Sequence, residues 1–286
     1  MFKRIGLISS GGKPNIRETL ISLSDFLRTQ KLEFVVHGDT AKLLDLDFPN
    51  VLDTGEFVKN IDLAIAIGGD GTMLRAAHLL VQYDVPLTGI NLGRLGFLAD
   101  IPADDIDGFL TPILQGKYFA DKRFLLLSQT FRDGECINED FAFNDVVIQK
   151  KNIAQLIELS TYIDDVFVHT HRSDGLIVAT PTGSTAYALS GGGPILHPTL
   201  DALVLVPICP HNLSNRPIAV KGESIVTINC LSESQLTCDS SVGIELAKGD
   251  KVIIKKHENS INLIHPADHD QYYVLREKLN WSKELC

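Results

Sequence analysis

The chain has 286 residues, 44% of them hydrophobic and 22% charged, with a formal net charge of −10 and an isoelectric point near 5.3. This length suffices for two hydrophobic cores, and the acidic balance argues against a nucleic-acid or anionic-membrane partner, since both reward a basic face. Five cysteines without a Cys-x-x-Cys pair suit reduced thiols better than a disulfide framework or zinc knuckle, and no apolar run has signal-peptide or membrane-spanning length, so we expect a soluble cytoplasmic protein.

Arg4 to Ser9 reads as a buried strand, Ser10 to Pro14 as a turn, Asn15 to Thr29 as a helix and Glu33 to His37 as a second strand. Strand, glycine turn, helix, strand is the order of a doubly wound parallel sheet, a Rossmann-like α/β arrangement whose ligands sit at the carboxyl ends of strands. Gly11, Gly12 and Lys13 then point at a ligand edge, or form a plain turn with a solvated lysine.

Asp62 to Ile67 is a third strand and runs into Gly68-Gly69-Asp70-Gly71-Thr72. Gly68, Gly69 and Gly71 remove every Cβ around one carboxylate, so the turn can take positive φ and let phosphates approach main-chain N–H groups. Thr72 can cap a helix over Met73 to Val81; the alternative is a tight turn in which Asp70 itself is the cap. Pro86 to Asn91 is another strand, and Asn91 to Leu98, with Gly93, Arg94 and Gly96, is either a nucleotide-lining loop or a turn returning Phe97 and Leu98 to the core. Pro102 is placed to start a helix that runs to about Gln115 and stops at Gly116.

From Tyr118 helical periodicity fades and short strand-like runs follow. They are Leu125 to Phe131, Phe141 to Gln149, Leu156 to Ile163, Phe167 to Arg172, Gly175 to Thr180, Leu203 to Val206, Ser224 to Asn229, Leu236 to Asp239, Lys251 to Lys256 and Ile261 to His265. Asp164-Asp165 separates two of them as a hairpin turn would, without a glycine. Tyr272 to Trp281 returns to helical spacing. The expected division is an α/β domain over 1–117 with the tail 267–286, and a mostly β domain over 118–266.

The chain has no Walker loop, no Gly-x-Gly-x-x-Gly fingerprint and no Gly-x-Ser-x-Gly elbow, so any nucleotide is met by another construction. Asp70 is placed to take the proton of an attacking hydroxyl. Asn144 beside Asp145 can hold a ribose diol, or form an Asx turn before a strand. Arg172 and Asp174, two apart in an extended segment, can pair with each other or face a nucleotide. His169 and His171 also share a face but lack a third metal ligand at usable spacing. Thr180 to Tyr187 is a Ser- and Thr-rich turn whose small residues admit a flat base beside the Tyr187 ring.

Gly68 to Thr72, Phe143-Asn144-Asp145, Arg172-Ser173-Asp174-Gly175 and Thr180-Pro181-Thr182-Gly183-Ser184-Thr185-Ala186-Tyr187, in this order and spacing, resemble the bacterial type of NAD kinase, through the terminal Asn280-Trp281-Ser282-Lys283. The resemblance implies an NAD kinase/diacylglycerol kinase-like fold and ATP-dependent phosphorylation of NAD at the 2′-hydroxyl of its adenosine ribose. It further implies Mg²⁺ on the triphosphate, a homodimer or homotetramer, and a tail that packs back on the first domain. By the same resemblance Asp70 is the base and, with Gly71, touches NAD, while Asn144, Asp145, Arg172 and Asp174 bind the dinucleotide and Thr185, Ala186, Tyr187, Ala188, Leu189 and Ser190 line its adenosine half. Gln155 stands where relatives often carry His or Arg. Gly68 and Gly69, with Gly11, Gly12 and Lys13, are the phosphate-loop candidates. The chain departs from the family at Asp145, often Glu there, and Ser241, often Gln. A lipid or sphingoid kinase explains the glycine turn but not Asn144-Asp145 or Thr180 to Tyr187, and a silent dinucleotide sensor has no need of Asp70.

Overall fold

The computed structural model describes residues 2–11, 15–44, 50–93, 95–152, 155–212, 214–241 and 243–281. They form two compact units, residues 1–122 with 261–286 and residues 123–260. Gly12, Lys13 and Arg94 lie outside the described residues.

The first unit contains β1 (Arg4–Ser9), α1 (Asn15–Thr29), β2 (Glu33–His37), α2 (Gly38–Leu44), β3 (Val51–Leu52), α3 (Thr54–Lys59), β4 (Leu63–Gly68), α4 (Asp70–Leu80), β5 (Leu87–Asn91), β6 (Ile101–Pro102) and α5 (Ile106–Leu114). Its strands pair in parallel in the order β5-β4-β1-β2-β3, with β6 beside β5. The order changes direction between β1 and β4, and in doubly wound sheets ligands collect at such a switch, outside the carboxyl ends. α1 puts Ile16, Leu20, Leu23 and Leu27 on one fully buried face, at the spacing a helix packed on a sheet requires. β4 is buried along its whole length, as expected of a central strand covered on both faces.

The chain continues through β7 (Tyr118–Arg132), β8 (Glu135–Ala142), β9 (Asp145–Gln149), β10 (Ile157–Ile163), β11 (Val166–Ser173), β12 (Gly175–Ala179), a 3₁₀ turn (Gly183–Thr185), α6 (Tyr187–Ser190), β13 (Ala202–Ile208), β14 (Ile218–Lys221), β15 (Val226–Cys230), β16 (Ser234–Cys238), β17 (Ile244–Leu246), β18 (Lys251–Pro266) and α7 (Gln271–Leu279). Within the second unit β14-β13-β12-β9-β16-β17 form an antiparallel sheet. Val146, Ile148, Leu176, Val178 and Leu205 on one face of it share a core with Leu159, Ile228, Val252 and Ile254 from β10, β15 and β18. The other face buries Val147, Ile177, Ala179, Val204 and Val206 with Ala188 of α6. Burial on both faces explains why β12 reads as an unbroken apolar run. In the first unit the end of β18 runs parallel to β5, with Leu263 opposite Leu87.

Several expectations are corrected. The helix expected from Pro102 begins at Ile106: Pro102 closes the short strand β6, and the cap is Asp105, whose side chain accepts the Gly108 N–H. Phe141 to Gln149 is two strands broken at Phe143-Asn144, and Lys251 to His265 is one strand, not two. The Asp164-Asp165 turn joins β10 to β11 as the expected hairpin, with both aspartates at positive φ, 50° and 64°, the geometry in which glycine usually appears. Among the described residues no helix is long and apolar enough to cross a membrane.

Candidate active site

The glycine turn sits between β4 and α4, but its construction differs from the expected one. None of Gly68, Gly69 and Gly71 has positive φ. The N-cap of α4 is Gly69, without a side-chain hydrogen bond, and Asp70 opens the helix. Thr72 is therefore not the cap; its hydroxyl lies 2.9 Å from that of Ser10 and joins the end of β1 to the first turn of α4. A Cβ at Gly69 or Gly71 would meet no heavy atom within 4 Å. Both main-chain segments are open to a ligand, at a helix start where unpaired N–H groups favour an anion. Gly11, at φ +97°, follows Ser10 on the same edge.

The Asp70 carboxylate does not cap anything; it holds the loop after β5. Oδ2 accepts the Phe97 N–H at 3.0 Å, and Oδ1 accepts those of Leu98 at 2.9 Å and Ala99 at 3.3 Å. A carboxylate oxygen has two acceptor sites, so Oδ2 retains one. Gly96 makes this arrangement sterically possible, because a Cβ there would run into Asp70 Oδ1 and lie 2.9 Å from the Ala99 carbonyl oxygen.

In the second unit the motifs Phe143 to Asp145 and Thr180 to Tyr187 form one cluster. Asp239, in a left-handed conformation at φ 49°, accepts three successive N–H groups: Phe143 at 2.6 Å, Asn144 at 2.7 Å and Asp145 at 3.1 Å. This clamp breaks the β8–β9 run and turns the half-buried Asn144 out of it. The Thr180 N–H donates to the Asn144 carbonyl at 2.9 Å and the Thr180 hydroxyl to that of Phe143 at 2.7 Å. Gly183 lies against the Asn144 main chain, where any Cβ would collide with the carbonyl.

Asp145 is 3% exposed. Burial, then the nearby Asp239 charge, push its carboxyl up to about 7, against the nearby main-chain N–H of Tyr187, which favours the ionised form. Asp145 thus lies near the start of α6, where the Tyr187 ring is half-exposed.

The remaining candidates fall in different settings. Thr185 donates its hydroxyl to the Thr182 carbonyl at 3.2 Å; Ala186 and Leu189 are partly buried and Ser190 exposed, while Ala188 packs wholly into the core. Arg172 and Asp174 do not share an extended segment, because the chain bends at Asp174 between β11 and β12. Asp174 pairs instead with Lys150, Nζ to Oδ1 2.6 Å, and Arg172 is exposed, as is Gln155. The His169 and His171 rings lie 4.7 Å apart. Burial lowers both, and the neighbouring His169 charge helps bring His171 down to about 4. The residue that sequence reasoning missed is Asp239: it is 94 positions from Asp145, and no local spacing marks it.

Residues 16–118 match the ATP-NAD kinase N-terminal domain and residues 143–266 the ATP-NAD kinase C-terminal domain. The chain is 42% identical over 287 aligned positions to the NAD kinase of Laribacter hongkongensis, covering 100% of this chain and 99% of that one. It is 46% identical to the NAD kinase of Methylococcus capsulatus, covering 98% of each. Among solved structures, yeast NADH kinase complexed with NADH superposes with a TM-score of 0.90 at 24% identity, over 99% of this chain and 89% of that one. An Archaeoglobus fulgidus NAD kinase in complex with ATP does so at 0.75 and 23%, over 97% and 98%. At such identities these two speak to the fold alone.

Proposed function

The chain belongs to the ATP-NAD kinase family and phosphorylates NAD with ATP, giving NADP and ADP; from that premise we propose how its own residues share the work. The acceptor is the 2′-hydroxyl of the adenosine ribose. Asp70 takes its proton through the remaining acceptor site on Oδ2, while the N–H donors of Phe97, Leu98 and Ala99 hold the carboxylate in place. The observation that carries this reading is that a fixed carboxylate opens a helix beside two glycines without side-chain neighbours, where phosphates and a base are both needed.

Asn144 and Asp145 hold the ribose, Asn144 through its amide and Asp145 as an acceptor. Tyr187 walls the adenine, with Thr185, Ala186, Leu189 and Ser190 around it and Ala188 acting from the core. Asp174, with Lys150, and Arg172 contribute polar and cationic groups to the dinucleotide, and Gln155 is an exposed polar contact. Gly11, Gly68, Gly69 and Gly71 offer main-chain donors to the triphosphate, joined by Gly12 and Lys13.

A divalent ion, Mg²⁺ by this reading, neutralises charge on the phosphates when bound. Phosphate and water supply most ligands of such an ion, so the turn has only to admit the nucleotide that carries it, which the open main chain at Gly69 and Gly71 does. We further read the protein as cytoplasmic, homodimeric or homotetrameric, and as a source of NADP.

Incubation with ATP and Mg²⁺ and either NAD or a diacylglycerol tests the reading. NADP from the first and nothing from the second is the expected result. Lipid phosphorylation points to the wider superfamily, and NAD binding without turnover to a sensor.

A further inference from the structure

Asp100, His265 and His269 meet in the first unit from two segments, the loop between β5 and β6 and the end of β18 with the turn that follows it. Asp100 Oδ2 lies 2.9 Å from His265 Nδ1 and 2.8 Å from His269 Nδ1. One candidate ligand atom from each of the three side chains lies within 4.8 Å of the others. All three side chains are buried, at 8%, 1% and 6% exposure.

A plain hydrogen-bond network leaves two atoms without a partner: Asp100 Oδ1 and His265 Nε2 are both buried and make no hydrogen bond. With Nδ1 carrying the proton, His265 Nε2 is an acceptor, and it points toward another acceptor, Asp121 Oδ2, 4.0 Å away. A cation held at the two Nδ1 atoms moves each imidazole proton to Nε2. His265 then directs an N–H at the Asp121 carboxylate, the outer-shell partner that metal-ligating histidines usually have. Asp100 Oδ1 becomes available as a further oxygen ligand.

The surroundings suit an ion as well. Phe119 stacks on both imidazoles, with centroids at 6.3 and 6.0 Å, and forms an apolar wall. Asp100 and His269 also line a cavity of about 500 Å³, together with Asp268 and Asp270. A cation therefore has an acidic route in, and a coordination position on the cavity side can be filled by water.

We propose that Asp100, His265 and His269 form a binding site for one divalent transition-metal ion of the zinc class. Two imidazoles and a carboxylate with an open position are a donor set that zinc accepts and magnesium does not favour. The ion links the segment before α7 to the loop that begins at β5. Ala99, which donates to Asp70, immediately precedes the Asp100 ligand.

The test uses the full chain, stripped with chelator and desalted into buffer without Mg²⁺ or nucleotide, and titrated with Co²⁺. The expected result is visible d–d absorption that saturates at one equivalent and is discharged by Zn²⁺. It is absent from His269→Gln and Asp100→Asn, each checked as folded by circular dichroism. Excess Zn²⁺ should raise the wild-type Tm by about 5 °C and leave those variants unmoved. X-ray absorption of the zinc-loaded wild type should show nitrogen and oxygen ligands with two imidazoles, a readout that needs no variant. No stoichiometric cobalt spectrum, sulfur ligation, or a spectrum that survives in His269→Gln but is lost in His171→Gln would overturn the proposal.

Discussion

Asp239 Oδ1 accepts the main-chain N–H of Asp145 at 3.1 Å, so the residue that positions the candidate ribose ligand is itself a carboxylate and adds to its charge repulsion. The folded protein therefore holds a proton on Asp145 to about pH 7, whereas the unfolded chain releases it near its ordinary value of 3.8. Between those values the folded state binds more protons than the unfolded one, so this group's contribution to stability falls as pH rises from about 4 to about 7. Chemical denaturation across that window should show the decline in the wild type and a flatter curve in Asp145→Asn.

The same titration should appear in binding. If the ionised Asp145 accepts the ribose hydroxyl, the KM for NAD falls as pH rises through about 7, and this limb disappears in Asp145→Asn while the KM for ATP changes little. A KM for NAD that is flat across pH 6–8 in the wild type, measured by steady-state kinetics, returns Asp145 to the role of a buried turn residue.

Gly96 provides a steric test of the Asp70 setting. The Cβ of Gly96→Ala can be accommodated only if both Asp70 Oδ1 and the Ala99 main chain move, so the variant should lose roughly 1–3 kcal/mol of stability. Its kcat should fall by at least about tenfold, because a misplaced base costs rate as well as binding. Alanine at Gly71, where a Cβ meets nothing, is the control and should leave Tm unchanged.

Chelation separates the nucleotide's metal from any other. EDTA should abolish NAD phosphorylation without unfolding the chain, and Mg²⁺ alone should restore it, because the phosphoryl charge has no Walker lysine to meet it. Turnover that persists in chelator removes the divalent ion from the mechanism.

Much of the fold was legible because its signals are local. β1, α1 and β2 were bounded correctly from apolar runs and spacing, and the glycine turn after β4 from composition. α2 and α3 are seven and six residues long, too short for a helical period to declare itself. Pro102 misled because proline suits a helix start as well as the end of a short strand, and the decisive Asp105 cap lies three positions on. The strand Lys251–Pro266 was split in two because Lys255 to Glu258 interrupt its apolar pattern, although the ladder continues. The site was legible as motifs but not as contacts. What Asp70 holds, what clamps Asn144, and which lysine meets Asp174 are set by chain segments far apart in sequence, and a residue's neighbours along the chain carry no record of them.

The role of Asp70 as the base is tested at its own side chain, whose hydrogen bonds decide what a substitution there does. Asp70→Asn keeps an oxygen for one part of the 97–99 loop but turns an amide N–H₂ toward the other, so a loss of roughly 1–3 kcal/mol in stability is expected and is not itself the test. The direct measurement is kcat for NAD phosphorylation by folded Asp70→Asn, taken beside the equilibrium Kd for NAD. If Asp70 is the base, kcat falls by about 10²–10⁴-fold while Kd stays within about threefold. A kcat within about tenfold of wild type in the folded variant would contradict it, and would leave Asp70 as the anchor of the loop and nothing more.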